Sequence, residues 1–445
     1  MDQKLSWPQK LSFGMGAFGK DLVYGLVATF CMVYFTDVCR IDPVHVGIIF
    51  LAARIFDAVN DPVMGLVVDN TRSKYGKFKP WLVIGTVLNA IVLIALFLKF
   101  DLSPRGMVIY ATITYILWGL TYTIMDIPYW SMIPDLGNTP EERDQVSAIP
   151  RLFASAAWMV IGATVLGAVQ FLGGGSPAKG YALVALIVAV LFVVCTGITV
   201  CALPAAHAAE SGKKMEKTSP GQMLRVLFMN EQVMSILFIS ILFNLMLQFN
   251  GGVGVYFFKN VIGNEKLVAP FLSAYSFSQI VGIFCYPILA RFIRRDWIIG
   301  ISSLCAVLTC LMIFLLPDFN FLTTSLASIF FGISTGLLLP ILTVLLANGV
   351  DYGEKKFGTR NESIIFSTQT FVVKLAGALS GFLIGVGLSL AKYTPDVPLT
   401  DQGKWVIRLM MAGLPLLMLL GYLAVYFLFY KSYEERQDLT YVMTP

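Results

Sequence analysis

Long apolar segments separated by short polar breaks run along nearly the whole chain. Each segment is at least as long as the about 20 mostly apolar residues that an α-helix needs to cross a bilayer. The segments are continuous and do not alternate with polar residues, which excludes a transmembrane β-barrel. The pattern predicts twelve spanning helices, at 11–38, 44–70, 80–99, 106–135, 146–172, 180–203, 233–259, 267–291, 297–316, 320–350, 362–391 and 405–430.

The longest polar break divides the predicted helices into two groups of six. The fold class that follows is an all-α polytopic membrane protein with two six-helix bundles. We predict an N-terminal six-helix bundle over 1–203, a cytoplasmic linker over 204–232, a C-terminal six-helix bundle over 233–431 and a cytoplasmic tail over 432–445.

Composition and charge support a multi-pass membrane protein. Hydrophobic residues make up 57% of the chain and charged residues only 13%, which is too little charge to cover a soluble domain of this size. Basic residues such as Arg72, Lys74 and Lys77 concentrate in one alternate set of loops. The positive-inside bias makes these loops cytoplasmic, and therefore predicts that both termini lie inside a bacterial inner membrane.

The second predicted span carries acidic residues within the sequence ARIFDAVNDPVMG. Asp57, Asn60 and Asp61 are spaced i, i+3 and i+4, so they share one helix face. Two carboxylates this close cannot both stay ionised in a dry site unless a proton or a metal cation lies between them. Oxygen ligands alone favour a hard monovalent cation. The alternative is a structural ion pair between Arg54 and Asp57, with Asp61 near an interface.

The fourth predicted span combines side chains that sugar sites need. Tyr122, Asp126 and Trp130 are spaced i, i+4 and i+8 on one face. A carboxylate accepts charge-assisted hydrogen bonds from sugar hydroxyls, and an aromatic ring covers the apolar side of a pyranose. Trp130 on its own could equally be a packing residue or an interfacial anchor. Arg151 and Lys374 are expected to supply counter-charges from other helices.

Within the spans, carboxylates outnumber the positive charges placed clearly at mid-span. The acidic residues are Asp21, Asp57, Asp61 and Asp126, against Arg151 and Lys374, with Lys20 and Arg54 offsetting part of the difference. An acidic excess in a cavity of low dielectric constant attracts a cation, so that cation binding and substrate binding become coupled. A cation that moves through 100 mV releases about 2.3 kcal/mol, enough for roughly fiftyfold accumulation of a neutral solute. These are the parts of a symporter.

Six segments of the chain form long and specific motifs: GMGAFGKD (14–21), ARIFDAVNDPVMG (53–65), TRSKYGKFKPW (71–81), YILWGLTYTIMDIPYWS (115–131), VDYGE (350–354) and STQTFVVK (367–374). In these segments the chain resembles the glycoside–pentoside–hexuronide cation symporters of the major facilitator superfamily. The resemblance covers nearly the whole chain. It implies the major facilitator fold, alternating access by a functional monomer, and Na⁺, Li⁺ or H⁺ as the coupling ion.

The resemblance also implies roles for individual residues. The implied cation site, with Na⁺ as the metal, consists of Asp57, Asn60, Asp61 and Thr123. The implied sugar site consists of Lys20, Asp21, Asp126, Trp130, Arg151, Gln369, Thr370, Val373 and Lys374. Asp351 and Arg360 look like cytoplasmic gate residues, for which a plain solvated loop is the alternative.

Three positions depart from the family pattern. A tyrosine expected near the sugar in the first span is Ala28, a tryptophan expected in the tenth span is Leu339, and an acidic residue expected shortly before Asp351 is Asn348. The cation motif is intact, which favours Na⁺. Because the first span differs at Ala28, the identity of the sugar stays open between a galactoside such as melibiose and another glycoside.

Two other classes of function compete with a sugar symporter. The first keeps the fold and changes the cargo to a glucuronide, a pentoside or a lysolipid. The second is a membrane enzyme or receptor, which would need a nucleophile–base pair, metal ligands or a sizeable soluble domain, and the sequence supplies none of these. The net charge of +5 is spread along the chain and does not indicate nucleic-acid binding. No cofactor is predicted beyond the coupling ion.

Overall fold

A computed structural model describes residues 5–136, 140–203, 230–357 and 362–432. Within these ranges the chain is almost entirely helical, and no β-strand occurs in them. The predicted all-α fold class is confirmed. Most of the predicted linker 204–232 and of the predicted tail 432–445 lies outside the described residues, so both assignments stay predictions.

The described part of the first half forms one long helix for each predicted span and one short helix. The helices are α1 (Trp7–Val33), α2 (Pro43–Asp69), α3 (Lys79–Leu96), α4 (Pro104–Ser131), the four-residue α5 (Ile133–Leu136), α6 (Pro140–Gly173) and α7 (Pro177–Ala202). A π-helical turn, Tyr34–Val38, extends α1 at its C-terminal end. These bounds agree with the predicted spans to within a few residues.

The described part of the second half is built in the same way. Its helices are α8 (Glu231–Tyr256), α9 (Val268–Leu289), α10 (Arg295–Leu315), α11 (Phe321–Phe357), α12 (Glu362–Leu390), α13 (Asp401–Arg408) and α14 (Leu414–Val425). The π-helical turns Leu409–Gly413 and Tyr426–Tyr430 join α13 to α14 and continue the last span to Tyr430. Helices therefore account for all twelve predicted spans in order.

Helices α4, α7, α8 and α13 each begin at a polar residue whose side-chain oxygen accepts a backbone N–H of the first turn. Such caps satisfy donors that have no partner inside the helix. The acceptors are Ser103 for α4, Ser176 for α7, Asn230 for α8 and Thr400 for α13. The polar breaks of the sequence thus set where these helices start.

Eleven helical segments in the described residues are long and apolar enough to cross a membrane. The helix α2 is not among them, but its 27 residues exceed the about 20 that a span requires. It is also the helix that carries Arg54, Asp57 and Asp61. Charged residues are costly in hydrocarbon and normally face a polar cavity, so α2 is the helix on which to look for a site.

The residues form two compact units. Unit 1 comprises Met1–Gly212 together with Val268–Ser276 and Tyr393–Pro398. Unit 2 comprises Lys213–Leu267, Phe277–Lys392 and Leu399–Pro445. Helices α1 to α7 all belong to unit 1, which therefore contains every acidic residue predicted for the cation and sugar sites.

Helices α3 and α4 of unit 1 approach each other closely enough to hold α4 in place. A β-carbon on Gly85 of α3 would lie 2.7 Å from the backbone nitrogen of Met125, so only glycine fits there. The buried Asn89 donates hydrogen bonds to the carbonyl oxygen of Trp118 and to the hydroxyl of Thr121, each at 2.9 Å. These contacts fix α4 along the segment that carries Thr123 and Asp126.

Candidate functional site

The carboxylate of Asp57 on α2 is buried and ion-paired. Its side chain is 5% exposed, and its Oδ2 lies 2.9 Å from a guanidinium nitrogen of Arg54 one turn earlier. The ion pair that the sequence left open as an alternative is therefore present. It offsets one negative charge of α2, so a coupling cation at Asp57 would share this carboxylate with Arg54.

The same face of α2 lies against a stripe of α4. The hydroxyl of Thr123, which is 4% exposed, donates to Oδ1 of Asp61 at 3.0 Å. One turn earlier on α4, a β-carbon on Gly119 would lie 2.9 Å from Oδ1 of Asp57. The two acidic residues of α2 thus face two α4 positions that are themselves one turn apart. Gly119 leaves room for the first carboxylate, and Thr123 binds the second.

Only oxygen donors are available for a cation at this place. Among the described residues, no group of three or more His, Cys, Asp or Glu side chains could hold a metal ion. A cation here would depend on the carboxylates of Asp57 and Asp61 together with the neutral oxygens of Asn60 and Thr123. Such a ligand set suits a hard monovalent ion or a proton, and not a transition metal. Asn60 is half-buried on the same helix.

A second cluster of charges centres on Lys20 of α1. Its Nζ lies 3.0 Å from Oδ2 of Asp21 and 3.0 Å from Oδ1 of Asp126, and its side chain is 4% exposed. The ammonium also donates to the Tyr122 hydroxyl at 3.4 Å and lies 4.8 Å from the centre of the Trp130 ring. The predicted face of α4, with its phenol, carboxylate and indole, therefore converges on one buried ammonium.

The counter-charge seen at Asp21 and Asp126 is Lys20, and the predicted role of Arg151 stays a prediction. Arg151 on α6 is exposed, and within the described residues it forms no ion pair with Asp21 or Asp126. The ammonium of Lys20 on α1 lies between the carboxylates of Asp21 and Asp126 and forms an ion pair with each. One positive charge faces two negative charges, so the Lys20 cluster as a whole carries an excess negative charge.

Unit 2 contains the remaining predicted sugar residues, all of them on α12. Gln369, Val373 and Lys374 are half-buried, and the side chain of Thr370 lies outside the described residues. Of the predicted gate residues, Asp351 belongs to α11 but its side chain is outside the described residues, as is the whole of Arg360. The roles of these residues stay predictions.

The sequence interpretation missed two contributors to the site. Gly119 is the small residue that leaves room for the Asp57 carboxylate. In the sequence, the feature that could have indicated it is a glycine one turn before Thr123. Trp158 on α6 donates its indole N–H to Oδ1 of Asp21 at 3.3 Å. The feature of the sequence that could have indicated Trp158 is its position seven residues after Arg151, which places the two residues on one helix face.

The polytopic helical fold and the acidic residues within its spans are typical of a membrane transporter. The profile of the MFS/sugar transport protein family matches residues 12–432, and the chain belongs to this family. The predicted membership of the major facilitator superfamily is thereby confirmed.

Three relatives illustrate the range of similar sequences. The inner membrane symporter YicJ of Escherichia coli is 30% identical over 87% of this chain and 84% of its own length. The isoprimeverose transporter of Lactiplantibacillus pentosus is 29% identical over 96% of this chain and 88% of its own. The lactose permease of Lactobacillus helveticus is 27% identical over 91% of this chain and 66% of its own.

Solved structures agree with the fold. The nucleoside transporter NupG superposes with a TM-score of 0.63 at 16% identity, covering 94% of this chain and 99% of its own. A bacterial homologue of the human lysosomal transporter Spinster superposes with a TM-score of 0.67 at 13% identity, covering 97% and 99%. At these identities the likeness shows the fold alone.

Proposed function

We propose that the protein is a secondary active transporter that carries a neutral sugar together with a monovalent cation by alternating access. The sugar is a galactoside such as melibiose or a related glycoside, and the cation is Na⁺, with Li⁺ or H⁺ as the other candidates. The transporter works as a monomer in a bacterial inner membrane with both termini in the cytoplasm. Relatives named as lactose and isoprimeverose transporters support a sugar as the cargo.

The observation that carries the proposal is the double role of α4. Thr123 binds Asp61 of α2, and Asp126, three residues later, is ion-paired with Lys20 of α1. A cation that binds at Asp61 therefore acts on the same helix turn that holds the carboxylate proposed to bind the sugar. Such a shared element gives each ligand a route to change the affinity of the other.

Charge favours a neutral glycoside over a hexuronate. In unit 1 the ammonium of Lys20 is already held between two carboxylates, and Arg151 forms no ion pair with either. A sugar carboxylate placed beside Asp21 and Asp126 would meet like charges that are screened poorly at a buried site. Sugar hydroxyls, in contrast, can donate hydrogen bonds to both carboxylates.

The proposed cation site consists of Asp57, Asn60, Asp61 and Thr123, all in unit 1. The proposed sugar site uses Lys20, Asp21, Asp126 and Trp130 of unit 1, and by resemblance Arg151, Gln369, Thr370, Val373 and Lys374. Asp351 and Arg360 are proposed as cytoplasmic gate residues, also by resemblance.

Uptake into right-side-out membrane vesicles tests the proposal. Radiolabelled melibiose, lactose, a pentoside and a glucuronide are each supplied with an inward Na⁺, Li⁺ or H⁺ gradient, and with none. We expect one neutral glycoside to accumulate only when one of these gradients is imposed. Asp61→Asn should abolish the dependence on the gradient, whereas Asp101→Asn, in the exposed loop before α4, should behave as wild type. Equal uptake of every glycoside with and without gradients would contradict the proposal, and accumulation of the glucuronide alone would reject the neutral cargo.

A further inference from the structure

The two oxygens of Asp21 have partners from different directions. Oδ2 lies 3.0 Å from the ammonium of Lys20, which is the next residue on α1. Oδ1 accepts the indole N–H of Trp158 on α6 at 3.3 Å. The carboxylate is 13% exposed, so it keeps some access for a further donor. Trp158 thus fixes the rotation of Asp21 from a helix other than its own.

The ring of Trp158 continues an aromatic wall in unit 1. Its centre lies 6.0 Å from that of Tyr24, and Tyr24 in turn contacts Tyr122 at 5.5 Å and Trp118 at 6.0 Å. A β-carbon on Gly25 of α1 would be 3.6 Å from the Trp158 ring, an ordinary contact distance. Three helices therefore supply one aromatic surface next to the Lys20 cluster.

Exposure distinguishes the members of this wall. Trp118 and Tyr122 are buried, whereas Tyr24 and Trp158 are half-buried. Ala28, one turn after Tyr24 on α1, is exposed and presents only a methyl group. Trp158 is therefore a large aromatic side chain of the wall that combines open ring surface with a hydrogen bond to a predicted sugar residue.

The face of α6 that carries Trp158 also carries Arg151, a predicted sugar residue. Arg151 and Trp158 are seven residues apart, about 10 Å along the helix and on the same face. The residues between them on this face, Ala154 and Ser155, are small, and both are half-buried. Small side chains at these two positions put no bulky group on this face between Arg151 and the indole.

We propose that Trp158 is a positioning and specificity residue of the sugar site, an inference that rests on the proposed function. Its N–H holds Asp21 so that the remaining lone pairs accept from one sugar hydroxyl, and its ring covers the apolar face of the same sugar unit. A site built to accept a particular hydroxyl rejects analogues that lack it, so Trp158 sets discrimination as well as affinity.

Three substitutions separate the two roles. Trp158→Phe keeps an aromatic ring and removes the donor, Trp158→His keeps an N–H on a smaller ring, and Trp158→Ala removes both. The transported glycoside from the vesicle experiment and its monodeoxy analogues are the probes. We expect Trp158→Phe to raise the KM for the glycoside about tenfold at a nearly unchanged maximal rate, because a hydrogen bond to a charged group is lost. We expect Trp158→Ala to raise it further.

If Trp158 only supported the fold, its substitution would not change the discrimination between the parent glycoside and its monodeoxy analogues. Wild type should transport one monodeoxy analogue much more poorly than the parent glycoside, and Trp158→Phe should shrink that ratio about tenfold, with Trp158→His restoring part of it. Trp297→Phe, which alters an exposed tryptophan on α10, is the matched control and should leave KM and ratio unchanged.

The results with the Trp158 variants and with wild type test the inference and the proposed function separately. Wild-type KM and wild-type discrimination in Trp158→Phe would overturn it while leaving the proposed function intact. Failure of both Trp158→Phe and Trp158→His to reach the membrane would show that Trp158 serves folding, and would also overturn it. Absence of glycoside accumulation by wild type would instead reject the proposed function itself.

Discussion

The hydroxyl of Thr123 donates a hydrogen bond to Oδ1 of Asp61 at 3.0 Å and so joins the fourth helix to the second. Thr123 is buried, and the α4 turn that follows it ends at Asp126, which is ion-paired with Lys20. Occupancy at one carboxylate can therefore change the position of the other through a single helix turn. The predictions below test separate parts of this connection.

Thr123→Val should weaken cation binding without removing transport. Valine matches threonine in shape but has no hydroxyl, so Asp61 loses a donor and the proposed site loses a neutral oxygen. We expect the cation concentration for half-maximal sugar uptake to rise about tenfold or more, the value of a hydrogen bond to a charged group. Thr123→Ser should retain wild-type activation.

The matched control for this experiment is Thr112→Val. Thr112 lies on the same helix, and among the described residues its hydroxyl bonds only the carbonyl oxygen of Val108, on its own helix, at 2.7 Å. If Thr112→Val and Thr123→Val shift cation activation equally, the effect is one of helix stability and the assignment of Thr123 is wrong.

Gly119→Ala should disturb the cation site through Asp57 alone. The added β-carbon would come within 2.9 Å of Oδ1 of Asp57, and the three nearest atoms outside its own helix backbone all belong to that carboxylate. Asp57 must move, so we expect cation activation of uptake to be impaired while the protein stays folded. Gly167→Ala on α6 is the control, because nothing lies within 4 Å of its β-carbon. Unaltered cation activation in Gly119→Ala would show that the position of Asp57 is irrelevant to coupling.

The sequence predicts the spans and the polar faces well, because both depend on local periodicity. The faces with Asp57 and Asp61 on α2, and with Asp126 on α4, follow from helical spacing alone. The partner of Asp126 did not follow, since a lysine next to an aspartate on α1 gives no indication in sequence that it also reaches α4. The role of Arg151 stays a prediction.

Close contacts between helices are the other features that the periodicity of the sequence cannot reveal. Gly119 and Gly85 matter because of the atoms opposite them, and those atoms belong to helices distant in sequence. Trp158 likewise depends on how α6 is rotated against α1. Helix packing decides such contacts, and the sequence of one helix does not state which neighbour it meets.

Removal of the charge on Lys20 should destabilise the protein as well as abolish sugar binding. Lys20→Gln leaves Asp21 and Asp126 together without their shared counter-charge at a largely buried place. Breaking a buried ion pair by removal of one partner costs about 3 kcal/mol or more. We expect a lower melting temperature for detergent-solubilised Lys20→Gln, and no change for Lys179→Gln at the exposed start of α7.

The double variant Lys20→Gln with Asp126→Asn restores the net charge of the cluster. It should recover most of the lost thermal stability but should not bind sugar, because both polar partners have changed. If Lys20→Gln alone melts at the wild-type temperature, the electrostatic account of the cluster is wrong.

The most direct test of the central claim measures ion movement driven by sugar. De-energised vesicles containing the protein receive the transported glycoside at equal cation concentration on both sides, and cation entry is followed by ²²Na⁺ and by a pH electrode. The account predicts that sugar influx draws one cation species inward in wild type and in Asp101→Asn, but not in Asp61→Asn. Sugar entry in wild type with no accompanying movement of Na⁺ or H⁺ would contradict it.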